Sequence, residues 1–269
     1  MKQSGSSRRQ FIKHCGLWIP ASALLPRVAL AQTIAVRHRP APAVGGIALG
    51  LNANTGNSGS GSCDSSHQVT TATVDTTGYT AVWVVVTQYY VKANTLSVAD
   101  NKSNTFGMAQ GWSTTNVNQV ASIWRNTNTI NPSTNVGTGH TVTVYSSDVN
   151  CFSMKVYLFG FTGTTLSDSY DNGDDADPAS GTTIQQMAPV TPNAPNEYVI
   201  AVQTDWADIG VTATANEGFT PIYSSQATTN IPSMIIAGLL QTAAAPVQPT
   251  WQGTASTGRY CLVASVKHP

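Results

Sequence analysis

Five aspartates fall within ten residues: Asp168, Asp171, Asp174, Asp175 and Asp177 in the run DSYDNGDDAD, with Gly173 among them. Carboxylates crowded this way repel one another unless they are solvated, protonated or shared around a cation. Flexible acidic loops with a glycine suit Ca2+, which takes roughly six to eight oxygen ligands. The five are therefore the candidate metal ligands and Ca2+ the candidate ion. The spacing departs from the EF-hand loop, whose terminal Glu is missing, and a solvated acidic loop is the plainer reading. A second chemistry is aromatic. Flat rings stack on sugars, and a surface rich in Asn and Thr hydrogen-bonds hydroxyl groups. Trp206 lies in Asp205-Trp206-Ala207-Asp208, which reads as a loop with acids on either side, and Trp112 follows Gly111 at a strand end. Trp206, Asp205, Asp208 and Trp112 are the candidate ligand-binding residues, whereas Trp83 is expected in the core.

Groupings for covalent chemistry are sparse. A serine nucleophile would be expected in a G-x-S-x-G elbow, and Gly56-Asn57-Ser58-Gly59-Ser60 lacks the last glycine. His67 and His140 are the histidines away from the termini that could complete a triad, since triads assemble in space and not in sequence. A glycosidase needs two positioned carboxylates, and Asp205 or Asp208 has no identifiable partner. No catalytic residue is assigned, and the reading leans against an enzyme, with a secreted hydrolase the lesser alternative. There is no C-x-x-C motif. After residue 31 the cysteines are Cys63, Cys151 and Cys261, an odd number that allows at most one bridge. Cys151 and Cys261 each open a predicted strand and are the pair expected, against the alternative of three separate buried thiols.

The elements that position these residues follow from composition. Charged residues are 10% of the 269, well below the roughly 25% of ordinary soluble domains. Only two glutamates, Glu197 and Glu217, occur, so long Lys/Glu-rich helices are not available. Five of the 13 basic residues lie before Gln32, where no acid lies, leaving eight basic against 13 acidic in the remainder. A sparsely charged, weakly acidic body excludes nucleic acid and anionic membrane as partners.

The strongest β-forming run is Ala81–Val91, AVWVVVTQYYV, with four Val, one Trp and two Tyr. β-branched and aromatic side chains fit a pleated, half-buried surface. Its near-continuous apolar character predicts a central strand. Shorter runs of the same type follow, cut by Gly, Asn, Asp and Pro, among them Thr105–Gly111, Gln119–Trp124, Thr141–Ser146, Cys151–Phe161, Glu197–Thr204 and Arg259–Val266. Ser233–Leu240 carries a helix-like local pattern but follows Pro232 among strands, and is read as a strand. No internal repeat is detectable. Many short strands with turn signals between them predict one all-β domain, a two-sheet antiparallel β-sandwich.

The N-terminus carries the most specific motif. Ser7-Arg8-Arg9-Gln10-Phe11-Ile12-Lys13 resembles the twin-arginine export motif, Cys15–Leu30 is a moderately apolar run, and Ala29-Leu30-Ala31 matches an A-x-A cleavage site. The resemblance implies a signal peptide over residues 1–31, passage through the twin-arginine translocase in a folded state, and a periplasmic or secreted product. No integral membrane association is expected after cleavage, the apolar run being too short and interrupted for a span. Residues 32–45, with Pro40 and Pro42, read as a linker, and 46–269 as the sandwich.

The order of segments also resembles a group of bacterial and phage-associated secreted jelly-roll sandwiches. It begins with IALGL, AVWVVVTQYYV and SVADNKSNTF, continues through GHTVTVYSS and CFSMKVYLFGFTG, and ends with PNEYVIAVQT, GFTPIY and YCLVASVK. The resemblance implies a jelly-roll fold over about Gly46–His268 and no catalytic residues; where many members carry an acid, this chain has Gly160. The expected role is an exported, non-catalytic binding or surface-interaction module for a glycan or cell-surface component. The alternative is a structural or assembly subunit of adhesin or fibre type.

Overall fold

A computed structural model describes residues 48–50, 55–57, 67–89, 96–113, 119–147, 153–164, 168–176, 182–187, 189–205, 214–215, 218–225, 231–256 and 259–267. These residues form an all-β sandwich of antiparallel sheets, and no helix occurs among them. The Cα packing gathers Arg37–Pro269 into one compact unit.

The first nine strands are β1 (Ala48–Gly50), β2 (Thr55–Asn57), β3 (Gln68–Thr70), β4 (Ala81–Tyr89), β5 (Leu96–Asp100), β6 (Phe106–Ser113), β7 (Gln119–Asn126), β8 (Val142–Ser146) and β9 (Ser153–Thr162). They make two sheets. The first inner sheet runs β1-β9-β4-β7-β6, with β2 also on β9, and the first outer sheet runs β3-β8-β5. The remaining strands are β10 (Tyr170–Ala176), β11 (Thr182–Gln186), β12 (Glu197–Asp205), β13 (Thr214–Ala215), β14 (Thr220–Ser225), β15 (Met234–Gln241), β16 (Thr250–Ser256) and β17 (Arg259–Val266). They make a second inner sheet, β10-β17-β12-β15-β14, and a second outer sheet, β11-β16-β13.

The two orders coincide position for position. Each half is an eight-strand, two-sheet unit of jelly-roll type with its first and last strands side by side, β2 being an addition in the first half. Single bridges outside the strands match as well, Val74 with His140 and Val190 with Val247. Val74 lies four residues after β3 and seven before β4, and Val190 lies four after β11 and seven before β12. The structure therefore contains a repeat that the sequence conceals.

The inner sheets face one another, and each is covered on its other side by an outer sheet, giving four layers and three cores. Val82, Val84, Val86, Val156 and Leu158 meet Val69, Val142 and Val144 of the first outer sheet. Trp83, Val85, Tyr157, Phe159 and Phe161 meet Ile200, Val202, Ile236 and Leu262 across the centre. Val199, Ala201, Ile235 and Val263 meet Trp251, Met187 and Phe219 on the far side. Successive residues of a strand point to opposite faces, so a strand covered on both is apolar at every position. That is why β4, predicted as central, is apolar without a break over Ala81–Val86: it lies between β7 and β9, and Ala81–Gln88 are all buried. Ser233–Leu240, read as a strand against its helix-like pattern, is a strand over Met234–Gln241.

Candidate functional site

The outer face of the first outer sheet is built by register. Val69, Val144 and Val98 point inward to the core. Their neighbours must then point to solvent, and the pairing sets them in two rows across β3, β8 and β5: Gln68, Tyr145 and Ser97, then Thr70, Thr143 and Ala99. None of these six side chains is charged. The Thr70 and Thr143 hydroxyls hydrogen-bond at 2.8 Å. Tyr145 stands in the middle strand and is 41% exposed, one of three large apolar or aromatic side chains exposed to this degree among the described residues. Strands about 4.8 Å apart hold these groups rigidly. The face offers one aromatic ring flanked by hydroxyl and amide groups, which suits a neutral, hydroxyl-rich ligand. The sequence reading missed Tyr145 because it weighed only tryptophans; the alternation of Thr143 and Tyr145 with Val142 and Val144 was the available signal.

The residues predicted from sequence are dispersed. Trp206, Asp208 and Asp177 lie outside the described residues. Trp112 falls on β6, where its backbone pairs with Ala121. Asp205 does not sit in a loop: β12 extends through it, it is 1% exposed, and its amide donates to Ser233 Oγ at 2.7 Å.

Within the acidic run, Tyr170–Ala176 is a strand and not a loop. β10 pairs with β17, with a register shift between Tyr170 and Gly173. Pairing distributes the carboxylates. Asp168, just before the strand at a φ of 41°, is bonded to Arg125 Nε at 2.8 Å. Burial pushes its carboxyl up, but Arg125, the Tyr170 amide and Lys267 together outweigh this and hold it below the usual range. Asp174 Oδ1 accepts the Asp175 amide at 2.8 Å. Asp175 is raised by burial and then by Asp174. Asp171 accepts from the Asn193 amide at 2.9 Å and from Asn193 Nδ2 at 2.6 Å. It also lies within hydrogen-bonding reach of Glu197, whose carboxyl is pushed up to about 8 by burial and then by Asp171. Among the described residues no three of His, Cys, Asp or Glu converge. Gly173 has a packing role: a methyl there would meet the Val263 carbonyl and the Gln110 side chain reaching over from the first inner sheet.

His140 does enter a Thr-His-Asp arrangement. Its Nε2 is 2.8 Å from Asp100 Oδ2 and its Nδ1 2.8 Å from Thr76 Oγ1. With Nε2–H given to the carboxylate, Nδ1 is left to accept the Thr76 hydroxyl. The geometry is triad-like, yet Thr76, His140 and the Asp100 side chain are all at 0% exposure, and Thr76 Oγ1 also accepts the Gly137 amide at 3.0 Å. Asp100 further accepts from the amides of Lys102 and Asn104 at 3.0 and 2.9 Å and from Asn104 Nδ2 at 2.6 Å. Burial alone would raise this carboxyl; His140 and Asn104 outweigh burial and hold it low. The group clamps the loops at one end of the first half and leaves no oxygen facing a substrate. A second buried ionisable group, Lys155 on β9, is 4% exposed and donates to Ser225 Oγ at 2.8 Å; burial pulls its amine down to about 8.

Compared with known proteins, the chain matches no family model, no curated protein and no solved structure.

Proposed function

We propose that this protein is an exported, non-catalytic binding module that holds a neutral glycan on the outer face of β3, β8 and β5. The observation that carries the reading is Tyr145, 41% exposed at the centre of an outward surface whose six register positions are all uncharged. A sugar presents a C–H face to an aromatic ring and its hydroxyls to Gln, Ser and Thr, and no charge has to be stripped of water on either side. The twin-arginine-like N-terminus and the scarcity of charge support a role outside the cytoplasm. The buried position of the Thr76-His140-Asp100 group supports the non-catalytic part of the reading.

The test is a glycan array followed by calorimetry on the best hit. Tyr145→Ala should weaken binding by roughly tenfold or more, as truncating an aromatic anchor does, without lowering the melting temperature. Unchanged affinity in that variant, or hydrolysis of the bound sugar, overturns the reading.

A further inference from the structure

The central core is apolar over most of its width but turns polar where β9, β4 and β14 meet. Lys155 of β9 is buried, and its Nζ donates to Ser225 Oγ of β14 at 2.8 Å, across the gap between the two inner sheets. Lys155 pairs directly with Thr87 of β4. Residues paired in this way project from the same face, with Cβ atoms about 5 Å apart. Thr87 is in phase with Trp83 and Val85, and Lys155 with Tyr157 and Phe159, so both side chains turn toward the central core. The Tyr157 ring packs on that of Tyr223, with centroids 4.5 Å apart. Tyr223 stands two residues before Ser225, so two contacts between β9 and β14 cross the gap side by side. The hydroxyls of Thr87 and Tyr157 have no hydrogen-bond partner, although both residues are at 0% exposure. Buried hydroxyls are almost always paired, so two unpaired ones on the face that carries a buried amine call for an acceptor. Ser225 accepts from the amine, which leaves its own O–H to give. β14 is the edge strand of its sheet, with Ser224 exposed and Ser225 half-buried, so the group lies next to solvent at the side of the sandwich.

We propose that Lys155, Thr87, Tyr157 and Ser225 form a binding site for a carboxylate group, which enters beside β14 between the two inner sheets. One ammonium and three hydroxyls can all donate, and an ionised carboxylate only accepts. Its single negative charge matches the single positive charge of the amine, and a charge-assisted hydrogen bond between them is about twice as strong as a neutral one. At this depth little water screens the attraction. Burial pulls the amine down to about 8, so at neutral pH it is still mostly the ammonium, and burial pushes the Tyr157 phenol up, so it keeps its proton. The carboxylate belongs either to a small free acid or to an acidic sugar. This site is separate from the glycan face: Tyr145 looks to solvent from the first outer sheet, and this group lies between the inner sheets.

The experiment is calorimetric titration and thermal melting of the full chain with acetate, with glucuronate and, at matched ionic strength, with chloride. At least one carboxylate should give a saturable heat and raise the melting temperature by a few degrees, with chloride doing less. Tighter binding of acetate identifies a small free acid as the source, and tighter binding of glucuronate an acidic sugar. Lys155→Met, apolar and of similar length, should fold, since a buried charge is often replaced by an apolar group without loss, and should lose at least tenfold in affinity for that carboxylate. Thr87→Val and Tyr157→Phe each delete an unpaired buried hydroxyl. Both should melt at or above the temperature of the unaltered protein and bind the carboxylate several-fold more weakly, and they give the reading should Lys155→Met fail to fold. The proposal is overturned by absence of heat and shift with both carboxylates, by chloride binding as tightly as they do, by Lys155→Met binding undiminished, or by Thr87→Val and Tyr157→Phe both binding undiminished.

Discussion

His140 shows what a buried polar residue does in a protein with so few charges. It is the hub between Asp100 and Thr76, and through Asp100 it reaches the loop held by Asn104, whose Nδ2 also donates to the Asn135 carbonyl at 2.8 Å. Removing it leaves a cavity and takes from a buried carboxylate its largest favourable partner. His140→Ala should cost about 3 kcal/mol, measured by urea unfolding. Because the folded pKa of Asp100 is depressed, its contribution is present above the unfolded value of 3.8 and lost as pH falls through the lower folded value. In His140→Ala the folded pKa moves back up, so acid unfolding should begin at a higher pH than in the unaltered protein. Identical acid midpoints would show that the pair is not coupled to folding. Sequence offered His140 only as a scattered histidine; its partners come from segments 40 and 64 residues away, and no local pattern encodes that meeting.

At the scale of single elements, β9 and β10 illustrate how neighbours dictate side chains. β9 is flanked by β4 on one side and by β1 and β2 on the other, so it is buried from Ser153 to Phe161 and takes aromatics on its central face. On its opposite face Gly160 ends the series Met154, Val156 and Leu158, because the Tyr79 ring and the Ala81 carbonyl fill the space where a Cβ would stand. The backbone carbonyl cannot move without disturbing the pairing of β4 with β9. Gly160→Ala should therefore destabilise by about 2 kcal/mol or more by thermal melting. A neutral outcome would mean that Tyr79 swings away freely. β10 was misread because aspartate and glycine favour turns on propensity alone. Pairing with β17 overrides that preference, and Tyr170, packed against the central core, anchors its start.

At the scale of the molecule, the central core is shared. Trp83, Phe159 and Phe161 of the first half and Ile200, Ile236 and Leu262 of the second bury one another. Neither half covers its inner sheet alone, and exposed apolar surfaces of that extent associate or aggregate. The described body should therefore unfold as one cooperative unit despite its duplicated topology. Calorimetry should give a single transition whose calorimetric and van't Hoff enthalpies agree; two resolved transitions would show that the halves are separate folding units. The doubling itself was illegible because a repeat of strand order requires only that apolar and turn residues recur at matching places. Val74 and Val190 sit alike, but their bridge partners are His140 and Val247.

The sequence by itself determined the class and the central strand: β-branched and aromatic runs broken by Gly, Asn, Asp and Pro can pack only as sheets, and a strand apolar at every position must be covered on both faces. Only the tertiary structure decided that four sheets and not two are stacked. It also decided that the acidic segment pairs as a strand over Tyr170–Ala176, that His140 is a buried clamp, and that Tyr145 stands exposed on an outward sheet face. Local residue preferences fix how a segment bends, whereas which side chains meet, and which are left without a partner, depends on strand pairings across the whole chain.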